Sequence, residues 1–369
     1  MRRALELAER GRGATAPNPC VGAVLVEDDR VAAEGWHSFF GGPHAEVEAI
    51  ADARKNGVDP SRCTLVVTLE PCNHQGKTPP CTRAILDAGI SKVVVGVSDP
   101  NSVAGGGADF LRSQGVEVEV GCLAEECEET IREFVHLQRT DRAFVILKLA
   151  ATLDGRIATR SRRPEAVSGP ESHERVQSLR ATVQAVMVGG TTFRSDNPRL
   201  TVRKTGYGGS QPWAVVVTGN LPENPDRFFL TRERPGATIF WTREDVAECA
   251  RARVLESAGC RVWADSPGCS GLAGLMTRLR RDVGAYRVLC EGGGGLAGSL
   301  ADQGLVDELW YFLAMKILGD DGAVAAFSGR TALGLDQAVG FCRTRLETLG
   351  DDLLIRLSPV NGNRPCLRA

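Results

Sequence analysis

Two consecutive α/β domains are predicted by this sequence, on three observations. Its 369 residues exceed one ordinary domain and suit two, each large enough for its own core. Short apolar runs alternate with amphipathic helical stretches in both halves, the pattern of strands and helices layered together. Around Arg139–Arg142 the chain turns polar, and a fresh apolar strand opens at Phe144. The predicted domains are therefore 1–142 and 143–369.

In the first half the spacing predicts helices over Ala4–Gly11, His44–Lys55, Cys81–Ala88 and Ala124–Gln138. Pro79-Pro80 marks the start of the third. Strands are expected at Val21–Val26, opened by the turn residues Pro17-Asn18-Pro19, and at Val31–Trp36, Leu65–Leu69, Val93–Val97 and Val116–Val120. In the second half strands are expected near 144–150, 185–189, 213–217, 237–241, 286–290, 308–314 and 352–357. Arg203–Gln211 reads as a loop, and Ser358–Ala369 as a frayed tail.

Composition narrows the class. Apolar residues make up 43% and charged residues 24%, ordinary for a water-soluble globular chain. A net charge of −2 shows no bulk basic character, so nucleic acid is not the expected partner. No apolar run approaches bilayer-spanning length, and Met1–Leu7 reads as a charged amphipathic helix rather than a signal peptide, so no membrane partner is expected. The twelve cysteines are scattered, which fits reduced thiols in a cytoplasmic protein.

The chemistry concentrates between His44 and Cys81. His44, Cys72 and Cys81 can give Zn²⁺ three protein ligands and leave a fourth tetrahedral position for water, as catalytic zinc requires. Zinc lowers the pKa of such a water to about 7. Glu46, two residues after the histidine, is placed to move protons as the catalytic acid/base. Histidine-x-glutamate followed by proline-cysteine and a second cysteine is the arrangement of zinc-dependent base deaminases. A structural zinc usually closes with a fourth Cys or His, and Glu46 would then have no task. Eight residues, Asn73–Pro80, separate the two thiols, where many base deaminases have two. A loop of that size carrying His74 and Lys77 can hold an anionic group such as a phosphate.

At this point the chain resembles the bifunctional deaminase/reductase family of riboflavin biosynthesis. The run from Thr68 to Cys81 is similar to that family's deaminase signature, and Pro43–Val47 and Asn18–Gly22 fit as well. The resemblance implies zinc ligation by His44, Cys72 and Cys81, proton shuttling by Glu46, and substrate contacts from Asn18, His37, His74 and Lys77. Taken singly, Asn18 between prolines suits a turn and Lys77 a solvated loop tip.

In the second half, Asp154-Gly155-Arg156, Val188–Thr192 and Asp196–Arg203 resemble the reductase part of the same family. Val288–Gly295 is a strand running into a glycine-rich turn, where backbone amides can approach a phosphate at a helix N-terminus. Gly293, Gly295 and Gly298 satisfy G-x-G-x-x-G, but late in the domain and without the acid a dinucleotide fold places about 20 residues on. That favours a dihydrofolate-reductase-like α/β fold, as the resemblance implies, beside a cytidine-deaminase-like three-layer α/β/α fold for the first half. The resemblance further implies NADPH contacts from Ala150, Thr192, Asp196, Gly293, Gly294, Gly295, Leu296, Ala297 and Gly298. It implies contacts to the substrate's ribose phosphate from Arg180, Leu200, Arg203 and Glu291. Lys148 is a further candidate for placing groups and protons.

Three stretches depart from the family pattern. Pro164–Gly169 stands where serine-x-tryptophan-isoleucine-threonine-serine is typical, His173 where an arginine is expected, and Gly106 where another arginine is usual. The combined reading is zinc-dependent deamination of a phosphorylated diaminopyrimidinone, then NADPH-dependent reduction of its ribosyl chain to ribityl. The resemblance also implies a homo-oligomer, a dimer or larger. The alternatives are a deaminase of free nucleotides or tRNA, and a deaminase whose reductase half has decayed.

Overall fold

The structure, a computed structural model, describes residues 1–74, 79–101, 105–265 and 271–360. The chain divides into two compact units, Met1–Asp141 and Arg142–Ala369.

Unit 1 runs α1 (Arg2–Arg10), β1 (Gly22–Glu27), β2 (Arg30–Trp36), α2 (Ala45–Lys55), β3 (Thr64–Leu69), α3 (Cys81–Asp87), β4 (Lys92–Val97), α4 (Gly107–Ser113), β5 (Glu117–Val120) and α5 (Ala124–Arg139). The strands form one sheet in the order β2-β1-β3-β4-β5. β1 is antiparallel to β2 and β3, and β3, β4 and β5 are parallel. Alternate residues of each strand face opposite layers. Leu65, Val67 and Leu69 of β3 pack with Ala45, Ala49 and Ile50 of α2 and Ile85 of α3, whereas Val66 packs with Ala4 and Leu7 of α1. Helices on both faces make this the expected three-layer α/β/α unit. Because β3 and β4 are parallel, their carboxyl ends open on one edge, with Cys72 just beyond β3 and Asp99 just beyond β4.

In unit 2, β6 (Phe144–Thr152) and β7 (Arg156–Ala158) precede α6 (Pro170–Arg180), β8 (Ala185–Gly189), α7 (Gly190–Asp196) and β9 (Trp213–Val217). After α8 (Phe229–Glu233) come β10 (Thr238–Thr242), α9 (Glu244–Ala247), α10 (Ala250–Ser257), β11 (Arg261–Ala264) and α11 (Gly271–Val283). The chain then forms β12 (Arg287–Cys290), α12 (Gly294–Asp302), β13 (Glu308–Ala314), β14 (Val324–Ala325), β15 (Phe341–Leu349) and β16 (Asp352–Pro359). Among the described residues the main sheet has the order β11-β10-β9-β8-β12-β6-β13-β16-β15, parallel from β11 to β13 and antiparallel at β16 and β15. Strand β6 is near-continuously apolar because both its faces are covered. Val145, Leu147 and Leu149 pack toward α11 and α12, and Phe144 and Ile146 toward α6 and α10.

Several elements differ from expectation. Helix α4 was not predicted: it is seven residues long, follows a run of glycines, and buries only Gly107, Ala108 and Leu111. Strands β11 and β15 lie at the sheet edges, where half-exposed polar positions blur the apolar pattern. Ser358 and Pro359, expected in a frayed tail, pair with Cys342 and Phe341. Cys342 is disulfide-bonded, a correction to the expectation of uniformly reduced thiols; connectivity cannot be read from spacing alone. Among the described residues no helix is long and apolar enough to cross a membrane.

Candidate active sites

The unit 1 site is built from two helix starts and a strand end. His44 is the N-cap of α2, Cys81 is the first residue of α3, and Cys72 lies three residues beyond β3. His44 Nδ1 is 3.2 Å from Cys81 Sγ and 3.6 Å from Cys72 Sγ, and the three ligand atoms all lie within 4.8 Å of one another. Tetrahedral zinc with ordinary Zn–N and Zn–S lengths needs an N···S edge of about 3.5 Å, so the donor set fits the ion. The Cys81 backbone N–H donates to Cys72 Sγ at 3.4 Å. Hydrogen bonding from Cys81 and His44 pulls the Cys72 thiol down to about 4, so the first thiolate forms there. The same interaction, with burial, holds the Cys81 proton more tightly.

Glu46, only 3% exposed, stands in the first turn of α2. Burial raises its carboxyl above the usual range, and the neighbouring His44 opposes that shift. Behind the ligands, the Glu70 carboxylate accepts from the Asp99 and Ala108 backbone N–H groups, both at 2.9 Å, tying the end of β3 to the loop after β4 and to α4. A Cβ on Gly107 would stand 1.8 Å from the Pro71 carbonyl oxygen, so glycine is what lets α4 lie against the Pro71-Cys72 segment.

His44, Glu46 and Cys72 face a cavity of about 330 Å³ that Asn18, His37 and His74 also line. His37 Nδ1–H donates to the Pro43 carbonyl at 2.8 Å, which leaves Nε2 to accept from Asn18 Nδ2 at 3.3 Å. That orientation turns the Asn18 amide oxygen into the acceptor available to a ligand's N–H. Burial lowers the His37 pKa, which keeps the ring neutral.

The unit 2 cavity is larger, about 940 Å³, and lies beyond the carboxyl ends of the parallel strands, where open α/β sheets bind ligands. At one end Arg180 and Glu291 form a buried bidentate pair, with Nη2 to Oε2 at 2.6 Å, and Arg180 Nη1 donates to the Thr201 carbonyl at 3.0 Å. Lys148 is beside them; burial lowers its pKa and Glu291 partly offsets this. Further along, Gly292 and Gly293 both have φ of +88°, a left-handed turn that opens α12 at the cavity wall. A Cβ at Gly295 would meet nothing within 4 Å, so this turn presents bare backbone to the cavity.

Comparison with known proteins decides the family. Residues 143–355 match the RibD C-terminal domain, and residues 1–97 match the zinc-binding region of cytidine and deoxycytidylate deaminases. The chain is 36% identical over 359 residues to the riboflavin biosynthesis protein RibD of Actinobacillus pleuropneumoniae, covering 96% of this chain and 93% of that one. This chain belongs to the RibD family. It is 37% identical to the RibD of Escherichia coli, over 87% of this chain and 88% of the other. A solved deaminase/reductase structure from Thermotoga maritima superposes with a TM-score of 0.82 at 36% identity, covering 97% of each chain. RibD from Acinetobacter baumannii gives 0.79 at 32%, covering 98% of each. As a RibD-family protein it is a bifunctional deaminase and reductase of riboflavin biosynthesis, with a zinc-binding deaminase site at His44, Cys72 and Cys81.

The candidate contact residues distribute unevenly. Lys77 lies outside the described residues. Ala150, Thr192, Asp196, Gly293, Gly294, Gly295, Leu296, Arg180, Leu200 and Glu291 all line the larger cavity; Ala297, Gly298 and Arg203 do not. Ala297 is fully buried in the core, and a Cβ on Gly298 would stand 2.1 Å from the Ser328 carbonyl oxygen, so that glycine serves close packing. Arg203 is exposed, its backbone N–H held by Gln177. The departures Pro164, Ala166 and His173 sit on the cavity wall.

Sequence reasoning missed Asp99, Asn101, Phe134 and Gln138 around the zinc site. Asp99 and Asn101 follow a parallel strand end, a signal that points to ligand contact; Phe134 and Gln138 come from α5 and carry none. Thr242 and Arg243 in the larger cavity were also missed.

Proposed function

We propose that residues 1–142 hydrolytically deaminate 2,5-diamino-6-(5-phosphoribosylamino)pyrimidin-4(3H)-one. Residues 143–369 then use NADPH to reduce the ribosyl chain of 5-amino-6-(5-phosphoribosylamino)uracil to ribityl. The observation that carries the first step is the buried Glu46 beside the three-ligand centre at the wall of the smaller cavity. Zinc, when bound by His44, Cys72 and Cys81, supplies a water activated for attack at neutral pH. Glu46 takes the proton released as the water attacks and gives it to the ring nitrogen beside the attacked carbon; it then takes the remaining proton of the new hydroxyl and gives it to the departing amine, which leaves as ammonia. Asn18, oriented by His37, accepts from a pyrimidine N–H, and His74 on the cavity wall contacts the phosphoribosyl group.

In the reductase unit the bare turn at Gly293–Leu296 fits the diphosphate of a dinucleotide, with Thr192 and Asp196 beside it. NADPH, when bound, supplies the hydride. Lys148 is the proton donor nearest the buried Arg180–Glu291 pair, which shapes the sugar end of the cavity. Because Glu291 neutralises Arg180, charge attraction for the substrate phosphate falls on Lys148 and on Arg203 at the surface.

The enzyme acts as a cytoplasmic homo-oligomer, a reading supported by nine free cysteines among the described residues and by family likeness. Light scattering of the purified protein reads its mass. The deciding experiment incubates the protein with the pyrimidine phosphate and NADPH, following ammonia and reduced-nicotinamide absorbance together. Both signals are expected in equal amounts. Ammonia without NADPH loss would assign deamination alone, and ammonia from dCMP or tRNA instead would overturn the substrate.

A further inference from the structure

Two cysteines of unit 1 hold the metal; another pair takes no part in that chemistry. Cys122 is exposed, Cys127 is fully buried, and both thiols are free. Cys122 directly precedes Leu123, the N-cap of α5, and Cys127 is the fourth residue of that helix. Side chains at those two positions pack against each other across a helix start. Both are also held over consecutive residues of β4. The Cys122 backbone N–H donates to the Val95 carbonyl at 3.3 Å, and a Cβ on Gly96 would stand 2.2 Å from Cys127 Sγ. Cys127 Sγ in turn donates to the Cys122 carbonyl at 3.8 Å.

An exposed thiol beside a buried one is the arrangement of a redox-sensing pair, in which the first meets the oxidant and the second resolves it. Burial, reinforced by the neighbouring Cys122, pushes the Cys127 thiol up to about 12, so it stays protonated and attack on an oxidant falls to Cys122. A disulfide needs Cβ atoms about 3.8 Å apart, so on oxidation the Cys127 sulfur leaves its niche over Gly96 and turns toward Cys122. Helix α5 carries that turn to the deaminase cavity. Phe134 and Gln138 line the cavity, seven and eleven residues after Cys127 in the same helix. At about 100° per residue, all three lie on one face of α5.

We propose that Cys122 and Cys127 form a peroxide-sensitive dithiol whose oxidation to a disulfide turns α5 and lowers deaminase turnover. Cys122 Sγ attacks one oxygen of the peroxide, the O–O bond breaks, and one water leaves with a sulfenic acid on Cys122. Cys127 Sγ then attacks that sulfur, the S–O bond breaks, and a second water leaves. The two thiols give up two electrons and two protons, and the peroxide is reduced to two waters. A thiol reductant reverses the bond by exchange.

The test exposes the zinc-loaded full chain to hydrogen peroxide and blocks the remaining thiols with iodoacetamide. Mass spectrometry then reads the tryptic peptide Ser113–Arg132, which holds both cysteines. Wild type is compared with Cys122→Ser and with Cys249→Ser, a change at a half-buried thiol of unit 2. In wild type and Cys249→Ser the peptide should be lighter by two hydrogens and unalkylated, with zinc still at one per chain. Ammonia release should fall in both and return with dithiothreitol, while NADPH consumption on supplied deaminated substrate holds. Cys122→Ser should keep its ammonia release through the same treatment. Two alkylated cysteines in oxidised wild type, or an equal loss of ammonia release in Cys122→Ser, would overturn the proposal. So would a formed disulfide with undiminished ammonia release. The peptide mass is read without substrate, so a wrong substrate assignment shows separately, as no ammonia from the reduced enzyme.

Discussion

The two cavities solve opposite problems. The zinc site is small, its ligands brought within 4.8 Å by two helix starts and one strand end that are at most 37 residues apart. The reductase cavity is almost three times larger and draws on residues from Lys148 to Ser328, most of them beyond the carboxyl ends of parallel strands. A concentrated site puts its whole chemistry on a few groups, whereas a distributed one spreads binding over many weak contacts. Damage should therefore be all-or-none in the first and graded in the second.

The sharpest way to break that contrast is Glu46→Gln. Ammonia release should fall by about 10²- to 10⁴-fold, the worth of a positioned acid/base. Zinc content by mass spectrometry should stay at one per chain, and reduction of supplied deaminated substrate should be unchanged. Retained ammonia release would remove Glu46 from the chemistry.

Next in size is Glu291→Ala, which leaves Arg180 buried and unpaired. Breaking a buried pair this way costs about 3–5 kcal/mol. Denaturant unfolding of the full chain should show that loss in the reductase transition, with deaminase activity intact. A variant as stable as wild type would mean that the pair is not buried in solution.

A glycine from each region sharpens the comparison further. Gly107→Ala forces a Cβ against the Pro71 carbonyl, and overpacking of this kind costs about 1–3 kcal/mol. Because Pro71 adjoins Cys72, zinc should also dissociate faster to a chelator. Gly295→Ala meets no protein atom, so its melting temperature should hold while dinucleotide affinity falls. Equal effects of both substitutions on stability would contradict the geometry.

The smallest effect is a pH dependence at Lys148. Its folded-state pKa is lowered by burial, so between that value and the usual lysine pKa the unfolded chain binds more protons than the folded one. Stability contributed by the neutral amine therefore rises with pH through that window, and below it the buried charge is a cost. Lys148→Met should be relatively more stable than wild type at neutral pH, with the gap narrowing toward pH 10. A gap independent of pH would show that Lys148 titrates normally.

Much of the zinc site was legible in one stretch of chain. The spacing of His44 and Glu46 at a helix start, and of Pro71-Cys72 after a strand, carries its own geometry, because one helical turn or strand end positions neighbouring residues the same way in any fold. The apolar runs of β1, β3, β6 and β8 were equally plain, since burial demands continuous or alternating hydrophobicity. Edge strands β11 and β15 escaped because half their residues face water.

What this sequence determined by itself was two α/β halves, three metal ligands and a carboxylate beside them. Only the tertiary structure decided that Arg180 meets Glu291 across 111 positions, that Gly298 packs against Ser328 while Gly295 opens to the cavity, and that Thr242 and Arg243 share that cavity's wall with Lys148. The physical reason is strand order. A parallel sheet wound as β10-β9-β8-β12-β6 places residues far apart in the chain along one edge, and no local pattern of residues records which strands become neighbours.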